Sequence, residues 1–293
     1  MKVLVLGCHG MLGHKMWQVL SQHFDTYMTM RQPASNYAGF EIFDLDRIRD
    51  GVDCVNFNNI VKVIGELKPD VVVNCIGIIK QGVDDHDSIY TLTINSVFPR
   101  KLKDLCFLSK IRLIHFSTDC VFSGRKGKYT EEDESDATDL YGISKYLGEV
   151  NGANCMTIRT SIIGRELNTQ NGLLEWFLSN AGGTVKGYSK AIFSGFPTIV
   201  FAEILVKIIR EFPNLSGVWN VSSNPISKFD LLRLIANEYD LRINIEPFSD
   251  YPIDRSLDSS RFRNETGIVP SEWPELIKKM KEDPTPYNNW RKK

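Results

Sequence analysis

Ten residues near the N-terminus, LVLGCHGMLG at positions 4–13, constrain the fold more than any other stretch. An apolar run stops at Gly7, two more glycines follow at Gly10 and Gly13, and an amphipathic pattern then begins. A strand that turns sharply into a helix needs glycine where φ is positive or where backbone must pass close to backbone. Free N–H groups at the start of the helix attract an anion, so G-x-x-G-x-x-G after a strand points to a bound dinucleotide. Gly7, His9, Gly10, Met11 and Leu12 are the candidate cradle. Three glycines alone would also serve an ordinary tight turn; the strand before them and the helix behind favour the cofactor.

The first half continues this alternation. Residues 3–6 and 26–30 read as strands around a helix at 11–22, and GVDCVNF (51–57) reads as a short strand before a helix at 58–69. DVVVNCIGI (70–78) and IRLIHFST (111–118), separated by a helical pattern at 95–108, have the apolar continuity of strands covered on both faces. Strands alternating with helices imply a parallel sheet. The expected class is therefore α/β, a Rossmann-type doubly wound parallel sheet with a smaller C-terminal α/β substrate-binding domain. The alternation weakens after about residue 165. The first domain is expected at 1–165, completed by parts of 196–225, where AEILVKIIREF reads as a helix and SGVWNVSS as a late strand of the same sheet. A helix at 226–240 should be capped by Ser227, and the last 25 residues look peripheral.

Composition excludes several classes. The 293 residues carry a formal charge of −1 with no basic stripe, so nucleic acid is not expected as a partner. No stretch reaches the roughly 18 apolar residues of a membrane span, so no membrane partner is expected. The six cysteines lack C-x-x-C spacing, so reduced thiols, a cytoplasmic location and no metal site are expected. Asp84, Asp85, His86 and Asp87 form a hydrophilic run that reads as a solvated face.

An acidic residue at the end of the second strand would accept the ribose hydroxyls of NAD. TYMTMRQ offers Arg31 instead, which suits the 2′-phosphate of NADP, so NADP(H) is expected over NAD(H). Asp53 and Cys54 sit where an adenine edge could be read. In DLYGISKYLGE, Tyr141 and Lys145 are four residues apart, on one face of a helix. A free phenol titrates near ~10, and an adjacent ammonium should lower that value. Ser117-Thr118, at the end of the preceding strand, supplies a hydroxyl for the same carbonyl oxygen.

With GCHGMLG, STDCVF, YGISKYLGE and IRTSIIG in this order, the chain resembles the extended short-chain dehydrogenases/reductases, most nearly the dTDP-4-dehydrorhamnose reductases and similar nucleotide-sugar reductases. The resemblance is firm over residues 1–165 and looser through VWNVSSNPISKFDLL and RSLDSSRFRNETG. It implies NADPH-dependent reduction of the 4-keto group of a nucleotide-diphospho-4-keto-6-deoxy sugar. Thr118, Tyr141 and Lys145 would form the triad, with Tyr141 protonating the C4 oxygen and Lys145 also holding the nicotinamide ribose. Cys75, Ile76, Gly77 and Asn95 would line the cofactor, and residues 166–293 would mainly bind the sugar nucleotide. Arg159, Thr160 and Ser161 would lie beside nicotinamide and substrate, Asp119 beside the sugar, and Trp176 against the base. Arg255, with Arg261 as the alternative, would take the diphosphate. His14, beside the glycine loop, is given no role.

The reductases usually place tyrosine where this chain has Cys120. GDP-fucose synthase and the plant-type rhamnose epimerase/reductases are similar in having cysteine there, and they epimerise before reducing. Cys120 is thus either a base for C3/C5 epimerisation or a packed thiol. An epimerase also needs an acid on the opposite sugar face. No histidine follows His115, which leaves Lys80, Lys186 and Lys190 as candidates. A nucleotide-sugar epimerase and a non-catalytic module stay open as alternatives, since the regulatory subunit of methionine adenosyltransferase resembles the same reductases. A dehydratase is disfavoured, because only one carboxylate follows Thr118. The oligomeric state, a homodimer included, also stays open.

Overall fold

The computed structural model describes residues 1–80 and 87–290. Its elements are β1 (Lys2–Leu6), α1 (Met11–Leu20), β2 (Asp25–Thr29), β3 (Ile48–Arg49), α2 (Phe57–Leu67), β4 (Val71–Asn74), α3 (Ser88–Leu92), α4 (Phe98–Leu108), β5 (Arg112–Phe116), α5 (Leu140–Leu147) and β6 (Cys155–Arg159). The second half adds β7 (Ile162–Ile163), α6 (Leu173–Ser179), β8 (Thr184–Tyr188), β9 (Ala191–Phe193), β10 (Phe196–Pro197), α7 (Thr198–Glu211), β11 (Gly217–Asn220), β12 (Ile226–Ser227), α8 (Lys228–Glu238), β13 (Asn244–Phe248), β14 (Ile253–Asp254), α9 (Ser260–Thr266), α10 (Trp273–Lys281) and α11 (Tyr287–Trp290).

Seven strands form one parallel sheet in the order β11-β6-β5-β4-β1-β2-β3. The order reverses between β1 and β4, so a crevice opens above the ends of these strands, where ligands of open parallel sheets bind. The strand period of two decides which helices cover which face. Val3, Val5, Val71, Val73, Ile114, Phe116, Met156 and Ile158 face a core shared with α1, α7 and α10. Leu4, Leu6, Val72, Leu113 and Cys155 face the core under α2 and α4. The expected late strand is β11, which extends the sheet beyond β6. Its helix is α7, apolar nearly all round and packed against α1. Ser227 caps α8, its Oγ accepting from Asp230 N at 3.0 Å.

Two expectations need correction. GVDCVNF is not a strand. The third strand is Ile48–Arg49, and 51–56 is a turn with Gly51 at φ +65°. Cys54 is buried in the core under α2, and Asp53 Oδ1 accepts from Val55 N at 2.9 Å. The last 25 residues are not peripheral either. Trp273, Leu276, Ile277, Met280 and Tyr287 are all buried, in the core that also holds Met16 and Trp17 of α1. Their polar composition misleads because α10 is amphipathic, with its lysines on the outer face and one apolar stripe turned inward.

Candidate active site

The site is built on the loops that leave β1, β4 and β5. Gly7 adopts φ +79°, and a Cβ there would come within 2.9 Å of Ile76. At Gly13 a Cβ would stand 2.1 Å from the Gly7 carbonyl oxygen, so the first turn of α1 can lie on the loop only with glycine there. Met11 and Leu12 open α1 half-buried, and His9 is exposed on the loop crest. His14 lies beneath the loop, in the body of α1. It is fully buried, with ring contacts to Gly10 O (2.9 Å) and Tyr287 Oη (2.7 Å). Arg31 is exposed at the end of β2 and donates to Tyr90 Oη at 3.2 Å. Partial desolvation of the ring, and then the Arg31 charge, lower the His9 pKa, and the same charge reaches Cys54. Arg31 thus stands between the glycine loop and the turn after β3.

Beyond β4, Cys75 and Ile76 are half-buried and Gly77 is exposed. Cys75 N donates to Leu6 O at 3.1 Å, and burial pushes its thiol well above the ordinary range. Asn95 belongs to a π-helical turn, Thr93–Val97, a local distortion common at functional sites. Its Oδ1 accepts from Ile78 N (2.8 Å), and its Nδ2 donates to Ile78 O (3.1 Å) and Ser144 Oγ (3.1 Å). Asn95 therefore ties the loop after β4 to α5. A Cβ built on Gly77 would lie 3.4 Å from Asn95 Oδ1 and 3.7 Å from Lys145 Nζ, which places the lysine head at the base of the same crevice.

The turn after β5 carries STDCVF. Thr118 Oγ1 accepts from Cys120 N at 3.1 Å and donates to Asp119 Oδ1 at 3.2 Å. Helix α5 starts at Asp139, whose side chain accepts from Gly142 N, and is pressed onto this turn. A Cβ at Gly142 would meet the Cys120 carbonyl oxygen at 2.3 Å. That approach brings Tyr141 to Thr118, its hydrogen-bond partner, and to Cys120 and Asp119. Two of the three residues expected as a triad, Thr118 and Tyr141, meet in this way.

Its electrostatics differ from the expectation. Lys145 Nζ donates to Phe116 O at 2.6 Å, so the ammonium sits at the end of β5. Four-residue spacing puts Tyr141 and Lys145 on one face of α5, but the lysine head is held by the Phe116 carbonyl, and the groups that act most on the phenol are Cys120, Thr118, Asp119 and Asp139. The phenol is raised above its ordinary pKa, chiefly by burial and then by Cys120, while the Thr118 hydrogen bond pulls it down. Burial lowers Lys145 to about 8, with Glu149 and Cys75 opposing. The Cys120 thiol is pushed up to about 12, first by burial and next by Asp119; Arg255 works the other way. Asp119 is itself buried and raised, with Arg255 and Lys228 as the facing cations.

The remaining candidates scatter. Arg255 does reach the site, donating from Nε to Phe122 O at 2.7 Å. Arg261 stacks on Trp219 at 3.9 Å, away from the turn. Arg159 is 4% exposed, and both oxygens of Glu149 occupy its fork at 2.8 Å, so it supports the site from behind. Ser161 is half-buried, its carbonyl accepting from Phe196 N at 2.9 Å and from the Thr160 hydroxyl at 3.2 Å. Trp176 is 38% exposed on α6. Lys80 pairs with Asp139 Oδ2 at 2.8 Å, at the start of α5. Lys186 on β8 lies over the ring of Phe248 on β13, and Lys190 is exposed in the turn before β9. Asp84, Asp85 and His86 lie outside the described residues, and Asp87 caps α3.

Sequence reasoning missed Glu149, which binds Ser117 Oγ at 2.7 Å and Arg159 in a buried network next to Lys145. The signal was available, since Glu149 falls four residues after Lys145 in the same motif. It also missed Lys228 and Tyr287.

Comparison with known proteins agrees with this fold. The chain is 24% identical to dTDP-4-dehydrorhamnose reductase of Aggregatibacter actinomycetemcomitans, over 96% of its own length and 98% of the relative's. It is 23% identical to mouse methionine adenosyltransferase 2 subunit beta, over 95% and 89% of the two chains. The crystal structure of dTDP-4-dehydrorhamnose reductase from Bacillus anthracis in complex with NADP superposes with a TM-score of 0.78 at 20% identity, covering 95% of this chain and 98% of that one. Residues 1–285 match the family described as RmlD substrate binding domain, and the chain belongs to that family of dTDP-4-dehydrorhamnose reductase-like proteins within the extended short-chain dehydrogenases/reductases.

Proposed function

We propose that this protein is an NADPH-dependent reductase acting on the 4-keto group of a nucleotide-diphospho-4-keto-6-deoxy sugar. The observation that carries the reading is the meeting of Tyr141 and Thr118 at the rim of a crevice whose base holds the Lys145 ammonium. The reductase relatives and the NADP found in a structural neighbour support it.

The residues present fit the dinucleotide. The positive φ of Gly7 and the close approach at Gly13 leave backbone without side chains where a diphosphate must come near. Gly10, Met11 and Leu12 would hold that diphosphate, Arg31 the 2′-phosphate, and Cys75, Ile76 and Gly77 the face of the nicotinamide half. NADPH supplies hydride for the sugar's C4. The chain's own part is acid–base and positional. Tyr141 stays a neutral phenol, which suits a group that must donate a proton to the C4 oxygen. Thr118 offers a hydroxyl to the same oxygen, and Lys145, held by Phe116 O, supplies positive charge as that oxygen gains negative charge. Arg255 and Lys228 face Asp119 from the C-terminal half, in the position for a sugar nucleotide's phosphates. On this reading residues 1–165, with parts of 196–225, hold the cofactor, and 166–293 mainly hold the sugar nucleotide.

Reduction is read without a preceding epimerisation. The Cys120 thiol is held protonated by burial and by Asp119, which is wrong for a base. The presence of Thr118, Tyr141 and Lys145 together argues against a purely regulatory module.

The test is NADPH consumption with a panel of dTDP-, UDP-, GDP- and CDP-4-keto-6-deoxy sugars. Turnover of one of them, falling about 10³-fold in Tyr141→Phe, is expected. If NADPH is bound and no 4-keto sugar is reduced, or if Tyr141→Phe turns over at the parental rate, the reading fails.

A further inference from the structure

The glycine loop is supported from the far end of the chain. The His14 ring lies 2.9 Å from Gly10 O through Nδ1 and 2.7 Å from Tyr287 Oη through Nε2. A carbonyl only accepts, so the proton is on Nδ1, and Nε2 accepts from the Tyr287 hydroxyl. Arg165, from the second half of the chain, covers the Tyr287 ring at 5.0 Å, and Lys15 approaches it at 5.3 Å. Lys15 is 1% exposed and is bound to Asp283 (2.6 Å) and Thr285 (2.9 Å), so residues 283–287 are fastened to α1 at several points.

The Gly10 carbonyl thus accepts two bonds, one from the His14 ring and one from His14 N at 3.1 Å. Because the peptide is planar and trans, fixing that oxygen toward the body of α1 turns the Met11 N–H the opposite way, toward the mouth of the glycine turn. That N–H is the donor a diphosphate meets first at a helix start.

We propose that His14 and Tyr287 are positioning residues for the cofactor's diphosphate: the relay from Tyr287 through His14 to Gly10 sets the peptide plane that presents the Met11 N–H. The inference rests on the dinucleotide reading above and adds to it a residue 273 positions from His14. It explains why an aromatic hydroxyl near the C-terminus is buried under an N-terminal helix.

The test is fluorescence titration of NADPH against the full-length parent and Tyr287→Phe, with thermal melts of both. The variant removes one hydroxyl and should raise the Kd about fivefold. Gln18→Ala is the control. Gln18 touches Thr285 in the same segment but makes no contact with Gly10, so that change should lower Tm and leave the Kd alone. If Tyr287→Phe is not recovered folded, His14→Asn, too short to reach Tyr287, takes its place under the same criterion. A parent that binds NADPH and a variant with the parental Kd overturn this inference alone. A parent that binds no NADPH overturns the cofactor reading and this inference together.

Discussion

Replacing Glu149 by glutamine should damage stability and catalysis through two separate routes. The Glu149 carboxylate accepts from Ser117 Oγ and from Nε and one terminal nitrogen of Arg159, and the two charged side chains are 6% and 5% exposed. Glutamine keeps the shape and part of the hydrogen bonding but removes the counter-charge, which leaves a buried guanidinium unpaired. Breaking a buried pair in this way costs about 3–5 kcal/mol. The upper part of that range applies, because the other terminal nitrogen of Arg159 is already buried without a hydrogen-bond partner. The second route runs through Lys145. Burial lowers its pKa to about 8, and Glu149 is the largest influence holding it up. Without Glu149 the lysine loses its proton at lower pH, so the alkaline limb of kcat/KM should move toward neutrality. Guanidinium denaturation at pH 7 measures the first effect, and a pH profile of NADPH-dependent reduction between pH 6 and 9 (approximate limits set by that value) measures the second. A stability loss below about 1 kcal/mol with an unmoved alkaline limb would refute the reasoning.

Three further outcomes are expected. The folded-state pKa of Lys145 lies below its unfolded value of 10.5, so between about 8 and 10.5 the unfolded chain binds a proton that the folded chain does not, and stability rises with pH across that window. Lys145→Met should therefore be inactive yet more stable at pH 7 by about 1–2 kcal/mol, after allowing for the lost bond to Phe116 O, as read from chemical denaturation. Gly13→Ala puts a methyl group 2.1 Å from the Gly7 carbonyl oxygen, so the loop must shift; NADPH affinity should fall at least about tenfold, with a stability loss of about 1–3 kcal/mol. Turnover of the parent in deuterium oxide should leave C3 and C5 of the product unlabelled by mass spectrometry, whereas label that disappears in Cys120→Ser would restore base chemistry to that thiol.

Much of the fold was legible because the central strands are apolar on both faces. VLVL, VVVN and RLIHF leave little choice but a covered parallel sheet, and the glycine spacing locates its first turn. Short elements were not legible. Ile48–Arg49 is a two-residue strand defined by its partner β2, and nothing in its own composition marks it. The site was legible to the level of which residues meet, and not to the level of charge. Helical spacing places Tyr141 above Lys145, but the direction of the lysine head depends on the Phe116 carbonyl, which another strand supplies. Arg159 looked like a substrate ligand because its partner Glu149 lies ten residues away across a turn. The C-terminal helices were misread because their inward stripe is narrow, and its burial depends on residues 270 positions distant.

The sheet is closed by β11, whose residues 217–220 pair with β6, and α7 between them covers the face that α1 leaves open. A fragment ending near residue 165 would therefore expose an unpaired edge of β6 beside a bare apolar surface, a combination that invites aggregation. Bisecting the chain at the apparent change of character in its sequence should yield insoluble material from the N-terminal piece. During synthesis, the six sheet strands β1 to β6 must wait for roughly sixty more residues before their border is sealed. Fusion partners and solubility tags should accordingly be chosen for whole-length expression, with additions at either end kept clear of α11, which seats against α1.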